Sequence, residues 1–310
     1  MPYTVFFWLE NLAAGLFLWF SLYLLTRDLP SRREERWSRW RWHLPSLLMS
    51  TTMGLAALFM FGMAIQSIAP TPEEYLRWYR ATWWGIPITG VLWLRVVIFL
   101  GAEEGRWKSP PLWERVIFPL LLLYAIAIAL AGTFTELIWS FHRIQPGSSI
   151  EPYVVPANKP TFYLYGVYYP GTMWIGATLL FHLYRKSPKK SPRRQGFKWL
   201  WLGGTLVAVA ITMLMVAYAR RSEPLPEQIG DLMSAVGLLL IMRGIVSYGA
   251  LVRNQILRED FLHALTGTAG AVFFYLLVFH LVHWIGGRPL SPIAVSSLIG
   301  LVVLTHTLLD

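Results

Sequence analysis

RWYRATWWGIPITGVLWLRVVIFLG, residues 77–101, is the stretch of this sequence that decides the fold class. Its apolar part continues to residue 103 and reaches the roughly 20 residues that a helix needs to cross the hydrocarbon core of a bilayer. With eight more apolar runs of comparable length, the chain contains nine: 4–26, 45–69, 82–103, 114–133, 163–184, 199–219, 227–248, 260–284 and 292–309. The sequence therefore predicts an all-α fold, a polytopic transmembrane helical bundle of about nine spans.

The composition of the whole chain agrees with this prediction. Of its 310 residues, 55% are hydrophobic and only 14% are charged, whereas soluble domains contain roughly 25% charged residues. Cysteine is absent, which excludes disulfides, thiolate metal sites, cysteine nucleophiles and Cys-ligated iron–sulfur clusters. The net charge of +10 resembles that of nucleic-acid-binding proteins, but the basic residues lie at the ends of the apolar runs. We therefore expect a lipid bilayer around this chain and no direct nucleic-acid binding.

The distribution of lysine and arginine predicts the orientation in the membrane. The segments that follow spans one, three, five and seven contain 19 of the 27 basic residues, and the opposite segments contain seven. Because basic residues are enriched in cytoplasmic loops, we expect the N-terminus outside and the C-terminus inside. The first run has no basic residue before it, which favours a true span over a cleaved signal peptide. The predicted location is the cell inner (plasma) membrane, with multiple passes.

Arg95 is the one basic residue near the middle of a predicted span, the third. An unpaired arginine there costs at least ~2.5–3.5 kcal/mol on insertion scales, so its side chain needs a partner or water. The candidate partners are Glu10 in the first span and Asp231 in the seventh. Two interpretations remain open: a structural ion pair, or a pocket in which Arg95 binds a ligand carboxylate. In the second, Trp83 and Trp84 line the mouth of the pocket; otherwise they belong to the aromatic belt at the outer interface.

The histidines allow a redox interpretation. His182, His263 and His306 lie near the inner ends of three predicted spans, and two of them on facing helices could ligate a haem iron. The alternative is that these rings settle at the membrane interface, as amphipathic side chains do. We predict no metal and no cofactor, with haem as the alternative.

Several activities lack the residues that they require. All six lysines lie in loops or at span borders, so none can form a retinal Schiff base inside the bundle. No GxxxxGK[ST], HExxH or GxSxG motif occurs. Acidic residues are nearly absent from the middle of the spans, which disfavours an ion-coupled transporter. We therefore expect no catalytic residue and no enzyme activity in this chain.

Three connections differ from ordinary short loops. The outer segment 134–162 contains four prolines in its second half, so we expect it to be non-helical there and to fold over the outer face as a lid. Residues 185–198, RKSPKKSPRRQGFK, predict a Pro-broken basic loop held near anionic lipid. Residues 249–259 predict a short inner hinge before the last two spans.

Three stretches together carry a family resemblance. They are the aromatic segment leading into a Pro-containing span at 77–101, the outer insertion at 135–162, and the basic loop that leads into FKWLWLGG at 197–204. With them, residues 4–248 resemble the seven-helix N-terminal sensor region of bacterial histidine kinases and related signalling proteins. Arg95 departs from the neutral or histidine side chain expected at that position, and the two additional C-terminal spans depart from the plain seven-helix module.

The resemblance implies a seven-helix sensor-like domain, 1–248, and a two-span extension, 249–310, that leads to the cytoplasmic side. It implies a sensor that binds an outer or lipid-borne signal and transmits a helix rearrangement to a cytoplasmic output domain or partner protein. No phosphoacceptor-histidine box occurs, so we expect any kinase activity in a further domain or a partner; a homodimer is compatible with this role. The rival interpretations are a structural or assembly subunit of a larger membrane complex and, less favoured, a haem-binding redox subunit or a transporter.

Overall fold

The computed structural model describes residues 2–28, 40–66, 69, 71–105, 112–140, 155–156, 160–220, 225–253, 266–267, 270, 273–274, 277 and 292–309. The helices are α1 (Pro2–Asp28), α2 (Trp40–Gln66), α3 (Pro72–Trp83), α4 (Gly85–Glu103), α5 (Phe118–Phe134), α6 (Pro160–Lys186), α7 (Pro192–Arg220), α8 (Leu225–Arg253) and α9 (Pro292–Leu309). A π-helical turn, Trp113–Ile117, leads directly into α5. Two residues of β1 (Trp139–Ser140) pair antiparallel with β2 (Val155–Pro156). The described chain is otherwise helical, which confirms the predicted fold class at this level.

Six segments of the described chain are long and apolar enough to cross a membrane, judged by length and composition. They are Phe7–Leu25, Pro45–Gln66, Glu73–Glu103, Trp113–Phe134, Arg193–Ala217 and Ile229–Tyr248. Each overlaps one of the predicted spans. The predicted fifth and ninth spans are helical as α6 and α9, and most of the predicted eighth span, 260–284, lies outside the described residues. The count of nine spans and the orientation stay predictions.

The chain folds as two compact units, of which the first combines Met1–Thr89 with Leu262–Asp310. In this unit α1 packs closely along α2, because Ser21 Oγ donates to Ser50 O and Ser50 Oγ donates to Ser21 O, both at 2.8 Å. Gly54 leaves room for this contact, since a Cβ there would lie 3.1 Å from Ser21 Oγ. α9 packs against α1 and α2 and buries residues at a spacing of four, Val295, Ile299 and Val303.

α3 is a short amphipathic helix that the sequence analysis did not separate from the third span. It begins after Thr71, whose Oγ1 accepts a hydrogen bond from the Glu74 N–H at 3.2 Å, and Pro72 occupies the first helical position, where its missing N–H costs no hydrogen bond. The other end of α3 contacts α2 so closely that a Cβ on Gly62 would lie 2.0 Å from Thr82 Oγ1. Any side chain at Gly62 would therefore push the two helices apart.

The second unit, Gly90–Phe261, is built around the tightly packed pair α7 and α8. A Cβ on Gly203 of α7 would lie 2.5 Å from Gly237 O, and one on Gly237 of α8 would lie 2.9 Å from Gly203 O. The two backbones therefore touch at this point, as in membrane helix pairs with small residues at the interface. Further glycines recur at intervals of seven residues along the same interface: Gly196, Gly230 and Gly244.

Trp93 joins α4 to α6 and α7. A Cβ on Gly176 of α6 would lie 2.7 Å from Trp93 Nε1, and one on Gly204 of α7 would lie 3.2 Å from its Cζ2. The indole thus fills the space that these two glycines leave, and it is 3% exposed. Because each helical residue is rotated by about 100° from the last, Arg95 leaves α4 on nearly the opposite side from Trp93.

The described parts of two predicted connections differ in extent from the prediction. α6 continues to Lys186 and α7 begins at Pro192, so the predicted basic loop 185–198 is wrong in its bounds and shrinks to five residues. The reason is that Pro192 stands at the start of a helix, where proline is favoured, and does not break one. The predicted hinge 249–259 begins inside α8, which continues to Arg253; its remainder lies outside the described residues.

The outer segment 134–162 is described at its two ends. β1 and β2 pair with Trp139 opposite Pro156, so residues 155–156 are non-helical as predicted. The prediction is wrong for residues 160–162, because α6 begins at Pro160, and proline is favoured at the start of a helix. Trp139 is 2% exposed and packs edge-on against Phe162 and Tyr165 of α6. This contact ties the start of the segment to α6, whereas its role as a lid stays a prediction because residues 141–154 lie outside the described part.

Candidate functional site

Arg95 forms a bidentate ion pair with Glu114. Both terminal nitrogens of its guanidinium donate to the two carboxylate oxygens of Glu114, in the π-helical turn before α5. The Arg95 side chain is 10% exposed and that of Glu114 is 38% exposed. The carboxylate thus supplies the partner that a basic residue needs inside a span. Sequence analysis proposed Glu10 and Asp231 for this role and did not consider Glu114.

The surroundings of the pair hold the guanidinium in place. The ring centroid of Phe118 lies 5.1 Å from Arg95 Cζ, within the range of a cation–π contact. Glu114 and Phe118 stand four residues apart, which brings their side chains to one side of the helix. The Phe118 N–H donates to Trp113 O five residues earlier, and such π-turns are frequent at functional sites.

This geometry defines what the pair can do chemically. The planar fork of an arginine binds a carboxylate or a phosphate through two parallel hydrogen bonds. Glu114 already occupies both terminal nitrogens of Arg95. An anionic ligand could therefore reach this guanidinium by displacing Glu114, and it would then release the start of α5 from α4.

The other predicted ligand-binding residues are distributed over both compact units. Glu10, Trp83 and Trp84 belong to the first unit, and Arg95 and Asp231 belong to the second. Trp83 is buried and stacks on Tyr79, with 6.0 Å between ring centroids. Trp84 is 39% exposed and donates its indole N–H to Ala81 O. Glu10 and Asp231 are partly buried, and a single pocket that contains all of these residues stays a prediction.

The structure describes the side chain of one of the three histidines of the haem alternative. His182 has an exposed side chain near the end of α6. His263 lies outside the described residues, and His306 lies on α9 with its side chain undescribed. Among the side chains that are described, no three of His, Cys, Asp and Glu gather closely enough to hold a metal ion. Haem binding stays untested.

A second polar cluster joins the ends of α4, α7 and α8. The Tyr248 hydroxyl lies 3.2 Å from both Glu103 Oε2 and Glu104 Oε1, and Arg193 Nη1 donates to Glu104 Oε1 at 2.9 Å. The Glu104 side chain is 11% exposed. Glu103, Glu104 and Tyr248 were not among the site residues that the sequence analysis proposed.

Sequence signals for the missed residues exist but are weak. Glu114 is the acidic residue at the start of the predicted fourth span, next in the chain after the span of Arg95. Glu103, Arg193 and Tyr248 each stand at the end of a predicted or observed span, so they share a depth in the membrane. Depth alone does not show which span ends are neighbours, and the sequence therefore could not pair them.

The chain was compared with known families and known proteins. The family described as the N-terminal 7TM region of histidine kinase matches residues 12–252, which contain Arg95, Glu114 and the cluster of Tyr248. No curated protein matches the chain, and no solved structure does. The match begins inside α1, at residue 12, and continues to residue 252 in α8.

Proposed function

Because this chain belongs to the family of N-terminal 7TM regions of histidine kinases, we propose that it is a membrane sensor module that receives an outer or lipid-borne signal. It passes a helix rearrangement to a cytoplasmic output domain or a partner protein. The family is a non-catalytic, membrane-embedded part of histidine kinases, and the six apolar helices fit a multi-pass membrane protein. Residues 1–248 form the sensor in this proposal, and 249–310 form the extension toward the cytoplasmic side.

The observation that carries the proposal is the contact between α4 and the end of α8. α4 has Arg95 in its middle and ends at Glu103, and the Tyr248 hydroxyl donates to Glu103 or to Glu104, the next residue. α8 is the seventh of the predicted spans, and in a sensor of this family the chain leads from it toward the output. A displacement of α4 therefore directly changes the hydrogen bond between its C-terminal end and Tyr248 of α8.

Signal binding is proposed around Arg95. A ligand carboxylate or phosphate replaces Glu114 on the guanidinium, and Asp231, which belongs to the same unit, contributes to the polarity around the ligand. The ligand needs differential affinity for the two helix packings, because only such a difference shifts their populations. Replacement of the Glu114 carboxylate by a ligand anion at Arg95 meets this condition. It breaks the ion pair between α4 and the turn before α5, and the guanidinium still has an anionic partner.

Orientation is the first part of the proposal to test, with nine spans, the N-terminus outside and the C-terminus inside. The chain has no cysteine, so single cysteines can be labelled selectively. We expect a membrane-impermeant maleimide to label Glu73→Cys in intact cells. Lys190→Cys should react only after the inner membrane is permeabilised. Equal labelling of both in intact cells would contradict the orientation.

Partner identity separates the sensor from its rivals. The full chain is extracted gently from native membranes and analysed by native mass spectrometry and absorption spectroscopy. The proposal expects a colourless protein with a histidine-kinase output, either on the same polypeptide or in a bound partner. A fixed assembly with redox or transport subunits, or a haem band, would instead identify a structural or electron-carrying subunit in the inner membrane.

Signal transmission is tested by spin labels on Leu112→Cys and Ser247→Cys, at the start of the π-turn segment and the end of α8. We expect Arg95→Gln to change the distance distribution between the labels and the phosphorylation of the output. The matched control is Arg77→Gln, an exposed arginine of α3. If the distances and the phosphorylation are unchanged in Arg95→Gln, Arg95 takes no part in signal transmission.

A further inference from the structure

Eight basic side chains collect at one end of the Gly90–Phe261 unit. They come from the end of α6, the short connection after it, the first turns of α7 and one position of α8. Seven of the eight are exposed, and Arg194 is partly buried. We call this set the basic collar: Arg185, Lys186, Lys189, Lys190, Arg193, Arg194, Lys198 and Arg243.

The basic collar lies where three apolar segments end together. The segments Glu73–Glu103 and Ile229–Tyr248 end, and Arg193–Ala217 begins, at this level. Arg193 and Tyr248 both contact Glu104, so these three ends are neighbours in space. Since the apolar stretches mark the hydrocarbon core, the collar stands at the depth of the lipid headgroups.

Aromatic rings lie against several basic side chains of the collar. Arg243 Cζ lies 4.1 Å from the ring centroid of Trp199, and Lys198 Nζ lies 5.5 Å from the same indole. Arg194 Cζ lies 4.9 Å from the ring of Tyr184. A guanidinium stacked on a ring keeps its N–H donors, which lie in its own plane, available for an anion. The stacking therefore orders these long side chains before a ligand arrives.

The two lysines of the connection are also held in a defined turn. The Ser191 N–H donates to Pro188 O at 2.9 Å, and the Arg194 N–H donates to Ser191 O at 3.0 Å. Lys189 and Lys190 stand inside this turn with exposed side chains. Less conformational freedom is lost on binding at such a turn than at a long flexible loop.

From this arrangement we propose that the basic collar is a docking surface for the phosphate groups of anionic phospholipids. The concentration of positive charge selects an anion, and the adjoining apolar spans select one that is attached to acyl chains. Arg193 pairs with Glu104, whereas the side chains of Lys189 and Lys190 are exposed and contribute positive charge at the level of the headgroups. This inference depends on the membrane setting alone, so it stands or falls independently of the sensor function.

The test measures lipid enrichment beside the collar in the full-length chain. Gln195→Cys, an exposed position in the first turns of α7, carries a fluorophore, and the protein is placed in phosphatidylcholine nanodiscs. A small equal fraction of brominated phosphatidylglycerol or brominated phosphatidylcholine then quenches the fluorophore. We expect much stronger quenching by the anionic lipid, because each basic residue near the surface contributes about fivefold in affinity.

Variants assign the effect to the collar. Lys189→Gln with Lys190→Gln should lower the preference for the anionic lipid at least about fivefold, and Lys189→Arg with Lys190→Arg should keep it. Arg77→Gln with Arg80→Gln, which removes two exposed charges from α3, is the matched control and should keep it as well. Circular dichroism checks that each variant is folded, and the wild-type comparison of the two lipids decides the question even if one variant is not.

Two results would overturn the inference. Equal quenching of the wild-type chain by both brominated lipids would show that the collar does not select anionic headgroups. Loss of the preference on addition of inorganic phosphate would show a site for a free anion and no lipid-specific docking. Persistence of the preference in excess inorganic phosphate supports the lipid.

Discussion

The hydroxyl of Tyr248, near the end of α8, lies 3.2 Å from a carboxylate oxygen of Glu104, the residue that follows α4. The neighbouring Glu103 offers an oxygen at the same distance. A phenol has one proton to donate, so it bonds to one of the two carboxylates at a time. Arg193 neutralises Glu104 from α7, and three helices therefore meet at one tyrosine.

Tyr248→Phe should remove the hydrogen bond between α8 and the end of α4 and lower the stability, without changing the packing of the ring. Hydrogen bonds to charged groups contribute about 1.5–3 kcal/mol, and we expect the lower value because the donor is shared and its distances are long. Thermal unfolding in detergent measures the loss. Tyr184→Phe is the control, because the described contacts of Tyr184 on α6 are made by its ring, which stacks on Trp201. Equal stability of the two variants would show that the Tyr248 contact contributes nothing.

Removal of Glu114 and removal of Arg95 should lower the free energy of unfolding by different amounts. Glu114→Gln leaves a guanidinium that is 10% exposed without its carboxylate, and loss of one partner of a buried pair costs about 3–5 kcal/mol. Arg95→Gln leaves Glu114, whose 38% exposure lets water reach it, so we expect a smaller loss.

A double-mutant cycle tests this asymmetry. The variant with both changes should lose less free energy of unfolding than the sum of the single variants, because it contains no unpaired charge. Arg115→Gln, an exposed neighbour of Glu114, should be nearly neutral. Strict additivity of Arg95→Gln and Glu114→Gln would show that the two side chains do not stabilise each other.

Gly203→Ala should separate α7 from α8. The added Cβ would meet Gly237 O at 2.5 Å, a backbone atom that cannot turn aside, and overpacking of this kind costs about 1–3 kcal/mol. Gly171→Ala on α6 is the matched control, since nothing lies within 4 Å of its new Cβ. Alanine is the better helix former by up to about 1 kcal/mol, so this control should be neutral or stabilising. Unfolding in detergent compares the two, and a stable Gly203→Ala would contradict the close contact.

Ser21→Ala and Ser50→Ala should each weaken the pairing of α1 with α2. Each change removes one of the two reciprocal hydrogen bonds, and interhelical hydrogen bonds in membrane proteins average about 0.6 kcal/mol. Thr51→Val removes a hydroxyl that bonds within its own helix, to Leu47 O, and should change the pairing of α1 with α2 much less. If all three variants lose the same free energy of unfolding, the hydrogen bonds between α1 and α2 contribute no more than a hydrogen bond within one helix.

The sequence predicted the apolar segments well because hydropathy records depth in a bilayer. The predicted spans 45–69 and 114–133 correspond to Pro45–Gln66 and Trp113–Phe134, and the described chain is helical as expected. The bounds of the loop 185–198 were wrong because a proline at the start of a helix looks the same in sequence as a proline that breaks one.

Lateral neighbours were harder to predict than depth. Arg95 needed an anionic partner because it lies inside a span, but the sequence could not show that its side chain contacts Glu114 in the turn before α5. The contact of Gly203 with Gly237 was missed for the same reason, since glycines at intervals of seven residues occur on two separate spans and acquire meaning only when those spans face each other. A single pocket of Arg95, Glu10, Asp231, Trp83 and Trp84 stays a prediction.

The place of α9 beside α1 and α2 has a consequence for how the chain is made. The α7–α8 pair is local in sequence, so it can form as soon as both helices leave the ribosome, and local contacts form fast. The unit that begins at Met1 must wait, because Val295, Ile299 and Val303 are synthesised only after the whole of Gly90–Phe261. α1 and α2 are thus synthesised before the whole of Gly90–Phe261, but the face that packs against α9 is covered only after α9 has been made.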